Sequence, residues 1–228
     1  MDKVEFKSGG LTLEGSIDLP KGRAPYASGL IAHPHPLFGG SMDNNVVYAL
    51  RDALVNSGYL ALRFNFRGVG KSEGQYGEIF GEAQDVISAE WFLKSLEYVN
   101  PEKIVACGYS FGALAILYAM ANGLKPSALI LVSPMLPERG LEKDEILRKI
   151  LPLKIPALIL AGGTDQFFRP QLYEPLIPKN AHNAKLLIQK SADHFWLGLE
   201  RNYVRLQKIS EQARKTLQNV LPHPAFCL

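Results

Sequence analysis

The stretch that decides the fold is Gly-Tyr-Ser-Phe-Gly at residues 108–112, which lies between two apolar segments. Residues 103–108 form a short apolar run that predicts a buried strand, and residues 111–121 predict a buried helix. The turn between them is so tight that the positions flanking Ser110 need glycine, because a Cβ there would collide with neighbouring backbone. Such a turn lifts the Ser110 hydroxyl above the sheet. It also directs the N–H of Phe111 to the same space, at a helix N-terminus where the dipole favours negative charge.

Short apolar strands alternate with helical stretches on both sides of this turn. The other predicted strands are residues 4–7, 11–19, 30–33, 59–66, 128–132, 157–161 and 185–189. The other predicted helices are residues 78–96, a helix capped by Ser41 or Asp43 that runs to Gly58, and a C-terminal helix with Leu199, Tyr203, Leu206, Ala213 and Leu217 on one face. The first two strands flank Gly9 and Gly10 and are predicted to form an antiparallel hairpin. The alternation is typical of an α/β fold with a mostly parallel sheet covered on both faces, whose functional residues follow the carboxyl ends of the strands.

Length and composition indicate one ordinary globular domain. The chain has 228 residues, of which 47% are hydrophobic and 21% charged. We expect a single domain over residues 1–228, with residues 133–156 as a short cap-like excursion. The net charge of +3 is too small to indicate nucleic-acid binding.

The two cysteines and the lengths of the apolar runs indicate in which cellular compartment the protein is expected. Cys107 and Cys227 are too few for a disulfide scaffold or a four-cysteine zinc site, and both thiols can stay reduced. The N-terminal residues contain no apolar signal core, and no apolar run approaches the ~18 residues of a membrane span. The sequence therefore predicts a cytoplasmic protein that does not cross a membrane.

Three histidines follow Ser110, and a serine hydroxyl needs a base to become a good nucleophile. His194 lies on the loop after the last predicted strand, at the same edge of the sheet as Ser110, so we predict it as the general base. His182 lies in a polar connection before that strand and is interpreted as a solvated loop residue. His223 lies in a proline-flanked tail and is interpreted as part of a frayed terminus. The alternative for His194 is a helix-capping turn formed with Asp193.

The acid of a serine–histidine pair is expected after an apolar strand close to Ser110. Asp165 meets this condition, and its carboxylate would accept from the ring N–H of His194 and fix the tautomer of the imidazole. Asp193 ranks second, because adjacent side chains on a turn rarely meet in the required geometry. Asp144 and Glu145 lie in the excursion and are interpreted as part of a solvated face.

The loop after the strand at residues 30–33 carries the sequence His-Pro-His-Pro-Leu. Proline has no N–H, so only His35 and Leu37 can donate near the strand end. We favour the N–H of His35 as the second oxyanion donor, beside that of Phe111. His33 and His35 also form a His-x-His pair, but a zinc site needs at least one further ligand, so no metal site is predicted. The remaining interpretation, favoured for His33, is that the imidazoles fix the loop through hydrogen bonds to backbone.

Gly70-Lys71-Ser72 resembles part of a phosphate-binding loop. The full pattern needs a glycine where Asn65 stands and a helix that opens at the Lys-Ser pair, so we reject nucleotide binding. Arg67 is interpreted as a structural residue that holds this loop through a salt bridge or backbone contacts. Cys107 is interpreted as an inert buried thiol. The basic residues of the C-terminal helix are interpreted as a solvated face: Arg201, Arg205, Lys208, Arg214 and Lys215.

From His33 to His194, these residues together resemble the α/β-hydrolase superfamily. The GYSFG turn, the HPHP loop, the NFRGVGKS loop, Asp165 and His194 fall in the order of that family. More narrowly, HPHPLFGGSMDNNVV and LRFNFRGVGKSEG are similar to a group of small, nearly capless members related to dienelactone hydrolases. The resemblance implies an α/β-hydrolase fold with a minimal cap and a mostly parallel sheet of about eight strands. Dienelactone hydrolases carry a cysteine nucleophile where this chain has Ser110, so the resemblance implies serine hydrolase chemistry and not dienelactone cleavage.

The predicted function is that of a carboxylesterase-type serine hydrolase, which acts on a small-molecule ester through an acyl-enzyme and needs no cofactor. Apolar residues that flank the catalytic loops are predicted to line an open pocket: Leu37, Phe38, Met135, Leu136, Phe167, Phe168, Phe195 and Trp196. The alternatives are a peptidase or acyl transferase with the same triad, and a catalytically silent binding module. The sequence names no natural substrate, and it leaves open whether the chain forms a homo-oligomer.

Overall fold

Within residues 2–177, 184–196 and Ala213, which the computed structural model describes, eight strands form one sheet. The strands are β1 (Asp2–Ser8), β2 (Leu11–Asp18), β3 (Tyr26–Ala32), β4 (Leu60–Phe64), β5 (Val99–Tyr109), β6 (Ala128–Val132), β7 (Ala157–Gly162) and β8 (Ala184–Gln189). The helices are α1 (Asn45–Asn56), α2 (Phe80–Ser95), α3 (Phe111–Ala121) and the short α4 (Pro170–Tyr173). Single 3₁₀ turns occur at Pro36–Phe38, Leu141–Lys143 and Leu147–Ile150.

The strands lie side by side in the order β1-β2-β4-β3-β5-β6-β7-β8. β1 and β2 form the predicted antiparallel hairpin, with Ser8 opposite Leu11 and with Gly9 and Gly10 at positive φ in the turn. Glycine is needed at these two positions because a two-residue hairpin turn takes the left-handed region. β2 pairs antiparallel with β4, and every later neighbour in the sheet is parallel. The predicted α/β fold with a mostly parallel sheet is therefore confirmed.

The point at which the chain reverses its direction across the sheet lies between β3 and β5. From β3 the chain moves outward through α1 to β4, and it then returns through α2 to β5 on the other side of β3. The loops that leave the carboxyl ends of β3 and β5 therefore diverge and open a crevice, which is where doubly wound sheets place their sites. The predicted oxyanion loop and the turn at Ser110 are these two loops.

Two apolar layers cover the faces of the sheet. The larger layer contains α2 and α3 and includes Phe64, Phe111 and Leu117, all nearly fully buried. The other contains α1 and includes Leu50 and Leu54. The helix α3 is buried around its whole circumference, as its continuous apolar sequence predicts. Its rigid packing fixes the N-terminus that begins at Phe111.

The N-terminus of α1 differs from the prediction. The helix begins at Asn45, and Asn44 caps it by accepting from the N–H of Val46 at 2.9 Å. Asp43 does not cap the helix, because its carboxylate accepts from the hydroxyl of Tyr48 and pairs with Arg63. The predicted C-terminal helix and the interpretations of His182, His223 and the basic residues of that helix lie outside the described residues.

The segment 133–156 contains two 3₁₀ turns that pack on the larger apolar layer through Leu141 and Leu147. Asp144 lies between them and is buried, contrary to the prediction that it belongs to a solvated face. Its carboxylate accepts from the hydroxyl of Tyr118 at 2.6 Å and from the N–H groups of Ile146 and Leu147. Burial raises the pKa of Asp144, but these hydrogen bonds outweigh that effect and hold it below its usual value. No helix in the described part of the chain is long and apolar enough to span a bilayer.

Candidate active site

The turn at Ser110 has the strained geometry that its sequence predicts. Ser110 lies between β5 and α3 with φ 54° and ψ −117°, in a region that residues with a side chain rarely adopt. A Cβ on Gly108 would lie 2.7 Å from Cα of Ala113, and one on Gly112 would collide with the carbonyl oxygen of Ala32. The close approach of backbone on both sides therefore requires glycine, and α3 packs directly against the end of β3.

Ser110, His194 and Asp165 form a continuous chain of hydrogen bonds. Oγ of Ser110 lies 2.9 Å from Nε2 of His194, and Nδ1 of His194 lies 2.8 Å from Oδ2 of Asp165. All three side chains are buried. Because a carboxylate only accepts, the proton of the neutral ring belongs on Nδ1, which leaves Nε2 free to accept from the serine hydroxyl. The structure thus brings together the residues predicted as nucleophile, base and acid, and it puts Asp165 rather than Asp193 against the imidazole.

The carboxylate of Asp165 is held by several donors. Oδ1 accepts from the N–H of Phe167 at 2.8 Å, and Oδ2 accepts from Nδ1 of His194. Burial raises the pKa of Asp165, but the hydrogen bonds, above all that from His194, outweigh burial and hold the pKa below its usual value. An ionised carboxylate at this position stabilises positive charge on the ring of His194.

The loops that carry Asp165 and His194 interlock through backbone. Both the N–H and the hydroxyl of Thr164 donate to the carbonyl of Ala192, at 3.0 and 2.8 Å. A Cβ on Gly162 would lie 2.5 Å from the same carbonyl oxygen. Sequence reasoning did not identify this contact, although the pair Gly162-Gly163 directly before Thr164 was a visible sign of a close backbone approach.

Tyr109 connects the loop of His194 to β5. Its hydroxyl donates to the carbonyl of His194 at 2.9 Å, and its ring lies against the imidazole with centroids 5.9 Å apart. Burial, with the charges of Asp165 and Asp193, raises the pKa of Tyr109, so its hydroxyl stays a donor. Sequence reasoning assigned no role to this residue, because the motif specifies only the glycines and the serine.

On the other side of Ser110, the loop 33–40 folds around His35. The N–H of Leu37 donates to Nδ1 of His35 at 3.2 Å, and the carbonyl of His35 accepts from the N–H groups of Phe38 and Gly40. The alternative oxyanion donor, the N–H of Leu37, is thus engaged within the loop. The ring of His35 lies 4.6 Å from that of Phe111, so the two predicted oxyanion donors belong to residues in contact.

Both ring nitrogens of His33 bond to backbone. Nδ1 lies 2.6 Å from the carbonyl oxygen of Pro34, and Nε2 accepts from the N–H of Phe66 at 3.0 Å. Burial lowers the pKa of His33 to about 4, with the hydrogen bond to Pro34 opposing that shift. The interpretation that His33 fixes the loop is confirmed, and its ring nitrogens are not available to a metal ion.

The loop after β4 is held by one ion pair and by hydrogen bonds to a carboxylate. The carboxylate of Glu14 accepts from the N–H of Lys71 at 2.6 Å and from the side-chain amide of Asn65. Arg67 forms a bidentate pair with the fully buried Asp85, with Nη2 at 2.7 Å from Oδ1 and Nε at 3.0 Å from Oδ2. The structural interpretation of Arg67 is confirmed, and the N–H of Lys71, which a phosphate-binding loop would offer to its ligand, donates to a carboxylate of the chain itself.

The residues predicted to line a pocket fall into two groups. Leu37, Phe38, Phe167 and Phe195 are exposed by 65, 86, 56 and 51%. Met135 and Phe168 are half-buried against the larger apolar layer, and Leu136 is buried in it. The prediction for Trp196 does not fit: its side chain is buried in the layer of α1, and its Nε1 donates to Oγ of Ser133 at 3.0 Å.

The sequence matches a family model and a protein from another organism. A family model described as serine aminopeptidase, S33, matches residues 38–141. A Rickettsia prowazekii protein of uncharacterised function is 32% identical over 179 residues, which cover 76% of this chain and 72% of that protein.

Solved structures agree with this relationship. An α/β serine hydrolase homologue from Coxiella burnetii is 29% identical, with a TM-score of 0.77 and coverage of 95% of this chain and 97% of that one. An α/β serine hydrolase without a lid from Xanthomonas campestris is 24% identical, with a TM-score of 0.76 and coverage of 97 and 95%. The second of these is a likeness of fold.

Proposed function

Because the chain belongs to the α/β-hydrolase superfamily, we propose that it is a serine hydrolase of the carboxylesterase type, with Ser110, His194 and Asp165 as its catalytic triad. The observation that carries this proposal is the unbroken hydrogen-bond chain from Oγ of Ser110 through the ring of His194 to Asp165. Each bond is short enough to pass or stabilise a proton, and burial shields the chain from water.

In the first half-reaction, Oγ of Ser110 attacks the carbonyl carbon of the ester while its proton moves to Nε2 of His194. The carboxylate of Asp165 stabilises the imidazolium that forms. The carbonyl oxygen becomes an oxyanion and accepts from the N–H groups of Phe111 and His35. Phe111 is the first residue of α3, so its N–H has no partner inside the helix. Collapse of the tetrahedral intermediate breaks the ester bond, and the alcohol leaves with the proton from His194.

In the second half-reaction, water takes the position that the alcohol has left. Nε2 of His194 removes a proton from the water as its oxygen attacks the acyl carbon on Ser110. As the second tetrahedral intermediate collapses, the bond between the acyl carbon and Oγ breaks, Nε2 of His194 returns the proton to Oγ, and the carboxylic acid is released. Each proton is taken up and returned by the same imidazole, so this scheme requires no cofactor.

The exposed apolar side chains around the site support an ester with an apolar acyl group. Phe38 lies against the ring of His35 with centroids 4.7 Å apart, and Phe167 lies 4.8 Å from the ring of His194. An apolar group seated on Ser110 would therefore meet aromatic surface on both sides. In this proposal the chain is one domain over residues 1–228, and residues 133–156 serve as a minimal cap that leaves the site open.

Labelling with a fluorophosphonate probe tests the triad. The wild type should be labelled once, and both Ser110→Ala and His194→Ala should lose labelling while they keep the unfolding transition of the wild type. Ser95→Ala removes an exposed serine at the end of α2 and should be labelled like the wild type. A folded wild type without labelling would contradict the triad and favour the silent binding module.

A substrate panel separates the ester reaction from its closest alternative. The family model that matches residues 38–141 is described as an aminopeptidase, which makes peptide cleavage the second candidate. We expect turnover of p-nitrophenyl esters of graded chain length. Turnover of aminoacyl p-nitroanilides with higher kcat/KM would favour a peptidase. Transfer of the acyl group to an added alcohol in preference to water would favour an acyl transferase.

A further inference from the structure

The N–H that we assign to the oxyanion belongs to the peptide between Pro34 and His35. This peptide is trans, since the cis peptides lie at other residues. In a trans peptide the C=O and the N–H point in opposite directions within one rigid plane. Whatever holds the carbonyl oxygen of Pro34 therefore also determines where the N–H of His35 points.

The group that holds this carbonyl oxygen is the imidazole of His33. Nδ1 of His33 lies 2.6 Å from the oxygen of Pro34, a short distance for a hydrogen bond from nitrogen. The other ring nitrogen accepts from the N–H of Phe66, which can only donate. This contact leaves the proton of the neutral ring on Nδ1, so the donor to Pro34 is fixed by the chain itself.

The surroundings keep the imidazole in this state. His33 is fully buried, and its ring packs edge-on against Phe66 with centroids 4.5 Å apart. Burial holds its pKa near 4, so the ring stays neutral at physiological pH. Gly40 closes the other side of the peptide, because a Cβ at this position would collide with the carbonyl oxygen of Pro34. The peptide is thus held by a hydrogen bond from His33 on one side and by close packing of Gly40 on the other.

We infer that His33 is a positioning residue, which aims the N–H of His35 at the oxyanion and strengthens it as a donor by bonding to the carbonyl of the same peptide. The strengthening follows from polarisation: a donor on the carbonyl oxygen draws electron density through the amide and makes its N–H more acidic. The inference rests on the proposed function, and it assigns His33 a task beyond joining the ends of β3 and β4.

Two substitutions separate this task from simple bridging. In His33→Asn, the side-chain amide nitrogen can replace Nδ1 and donate to Pro34, but the contact with Phe66 is lost. In His33→Gln, the amide oxygen can replace Nε2 and accept from Phe66, but the donor to Pro34 is lost. We expect kcat for p-nitrophenyl esters to fall about 10²-fold in His33→Gln, since a misplaced donor costs about that much, and far less in His33→Asn.

If His33 only joined the ends of β3 and β4 through its contact with Phe66, His33→Asn would lose more kcat than His33→Gln. If His33→Gln equals or exceeds His33→Asn in kcat, the inference is wrong. KM for the ester should change little in either variant, because the oxyanion forms after binding. Inhibition by a trifluoromethyl ketone, which forms an oxyanion on Ser110, should weaken in parallel with the loss of kcat in His33→Gln. An unchanged inhibition constant would also overturn the inference.

A double-mutant cycle excludes a general defect of the loop. His35 has φ −55°, which proline adopts without strain, so His35→Pro removes the N–H without changing this angle. Without that N–H there is nothing to aim, so His33→Gln should lose most of its effect in the His35→Pro background. Full additivity would contradict the inference.

The wild type provides a test that needs no variant to fold. Nitrogen NMR of the histidine rings should show that His33 carries its proton on Nδ1 at neutral pH. A proton on Nε2 would overturn the inference, because Nδ1 would then be unable to donate to Pro34. Absence of ester turnover or fluorophosphonate labelling in the wild type would instead contradict the proposed function, so the two failures are distinguishable.

Discussion

The two sides of Ser110 are built from different chemical groups. On one side, the loops after β7 and β8 bring together the side chains of Asp165 and His194 at 2.8 Å. On the other side, the proposed oxyanion donors are the backbone N–H groups of His35, in the loop after β3, and of Phe111, at the start of α3. The first side depends on which residues occupy its positions, while the second depends on how two peptides are oriented. Substitutions should therefore act directly on the first side and through backbone on the second.

The largest expected effect comes from the side-chain half of the site. In Asp165→Asn, an amide N–H would face Nδ1 of His194 and favour the ring tautomer with its proton on Nε2, which cannot accept from Ser110. We expect kcat to fall about 10⁴-fold, with the fold intact. Ester kinetics and thermal unfolding measure the two quantities. Asp193→Asn removes the neighbouring carboxylate and should keep nearly all activity; a larger loss there would identify Asp193 as the acid.

The backbone half should respond to loss of an N–H and not to loss of a side chain. His35→Pro should lower kcat about 10²- to 10³-fold, the cost of one oxyanion donor. His35→Ala removes the same imidazole but keeps the N–H, so it should retain most of the activity. Equal losses of kcat in both variants would mean that the imidazole, and not the N–H, is what the reaction uses.

The contributions of His33, in the backbone half, and of Asp165, in the side-chain half, to the free energy of unfolding should respond differently to acid. His33 has a pKa of about 4 when folded and about 6.5 when unfolded, so between these values the unfolded chain binds the extra proton. Its contribution to the free energy of unfolding is therefore present above pH 6.5, falls as the pH drops toward 4, and is constant below that. The pKa of Asp165 is lowered, so its contribution is present above its unfolded pKa, and is lost only as the pH falls through its lower folded value.

The contribution of His33 is measured by urea unfolding of the wild type and His33→Asn at pH 7 and pH 4. The wild type should lose about 3 kcal/mol more than the variant over this range, because other groups titrate in both proteins. An equal loss in the two proteins would show that the buried imidazole does not titrate as proposed.

The smallest expected effect lies where the two halves meet. Tyr109→Phe removes the hydrogen bond to the carbonyl of His194 and should lower the free energy of unfolding by about 1–3 kcal/mol. We expect kcat to fall by less than in any catalytic variant, since the side-chain contacts of His194 remain. Tyr173→Phe removes a longer bond, 3.4 Å to the carbonyl of Pro134, and should change kcat less than Tyr109→Phe does. A larger change of kcat in Tyr173→Phe than in Tyr109→Phe would show that the hydrogen bond from Tyr109 does not position His194.

The comparison also explains what the sequence was able to predict. Asp165 and His194 are distinctive residue types at the ends of apolar strands, so their order and spacing were enough to predict that they lie together beside Ser110. The strands and α3 were predicted because continuous apolar runs specify buried elements, but β3 and β5 each begin four residues earlier than predicted, at Tyr26 and Val99. Asp144 was misjudged because its burial depends on Tyr118, which is 26 residues away in the chain.

The orientation of a peptide leaves no comparable mark in the sequence. The pattern His-Pro-His-Pro limits the donors near the strand end to two, but it does not indicate that His33 bonds to the carbonyl of Pro34 and the N–H of Phe66. The direction of the Trp196 side chain was also not visible in the sequence. It flanks a loop of the candidate site in the sequence, but it has a positive φ and its side chain lies in the apolar layer that contains α1.

The most direct test of the account is the mass of the protein after reaction with a p-nitrophenyl dimethylcarbamate, whose carbamoyl group leaves slowly. We predict that one p-nitrophenol is released per chain, that one carbamoyl group is added, and that peptide mapping assigns it to Ser110. Ser110→Ala should gain no mass. Ester turnover that persists in Ser110→Ala, or a carbamoyl group on another residue, would contradict the claim that this serine is the nucleophile.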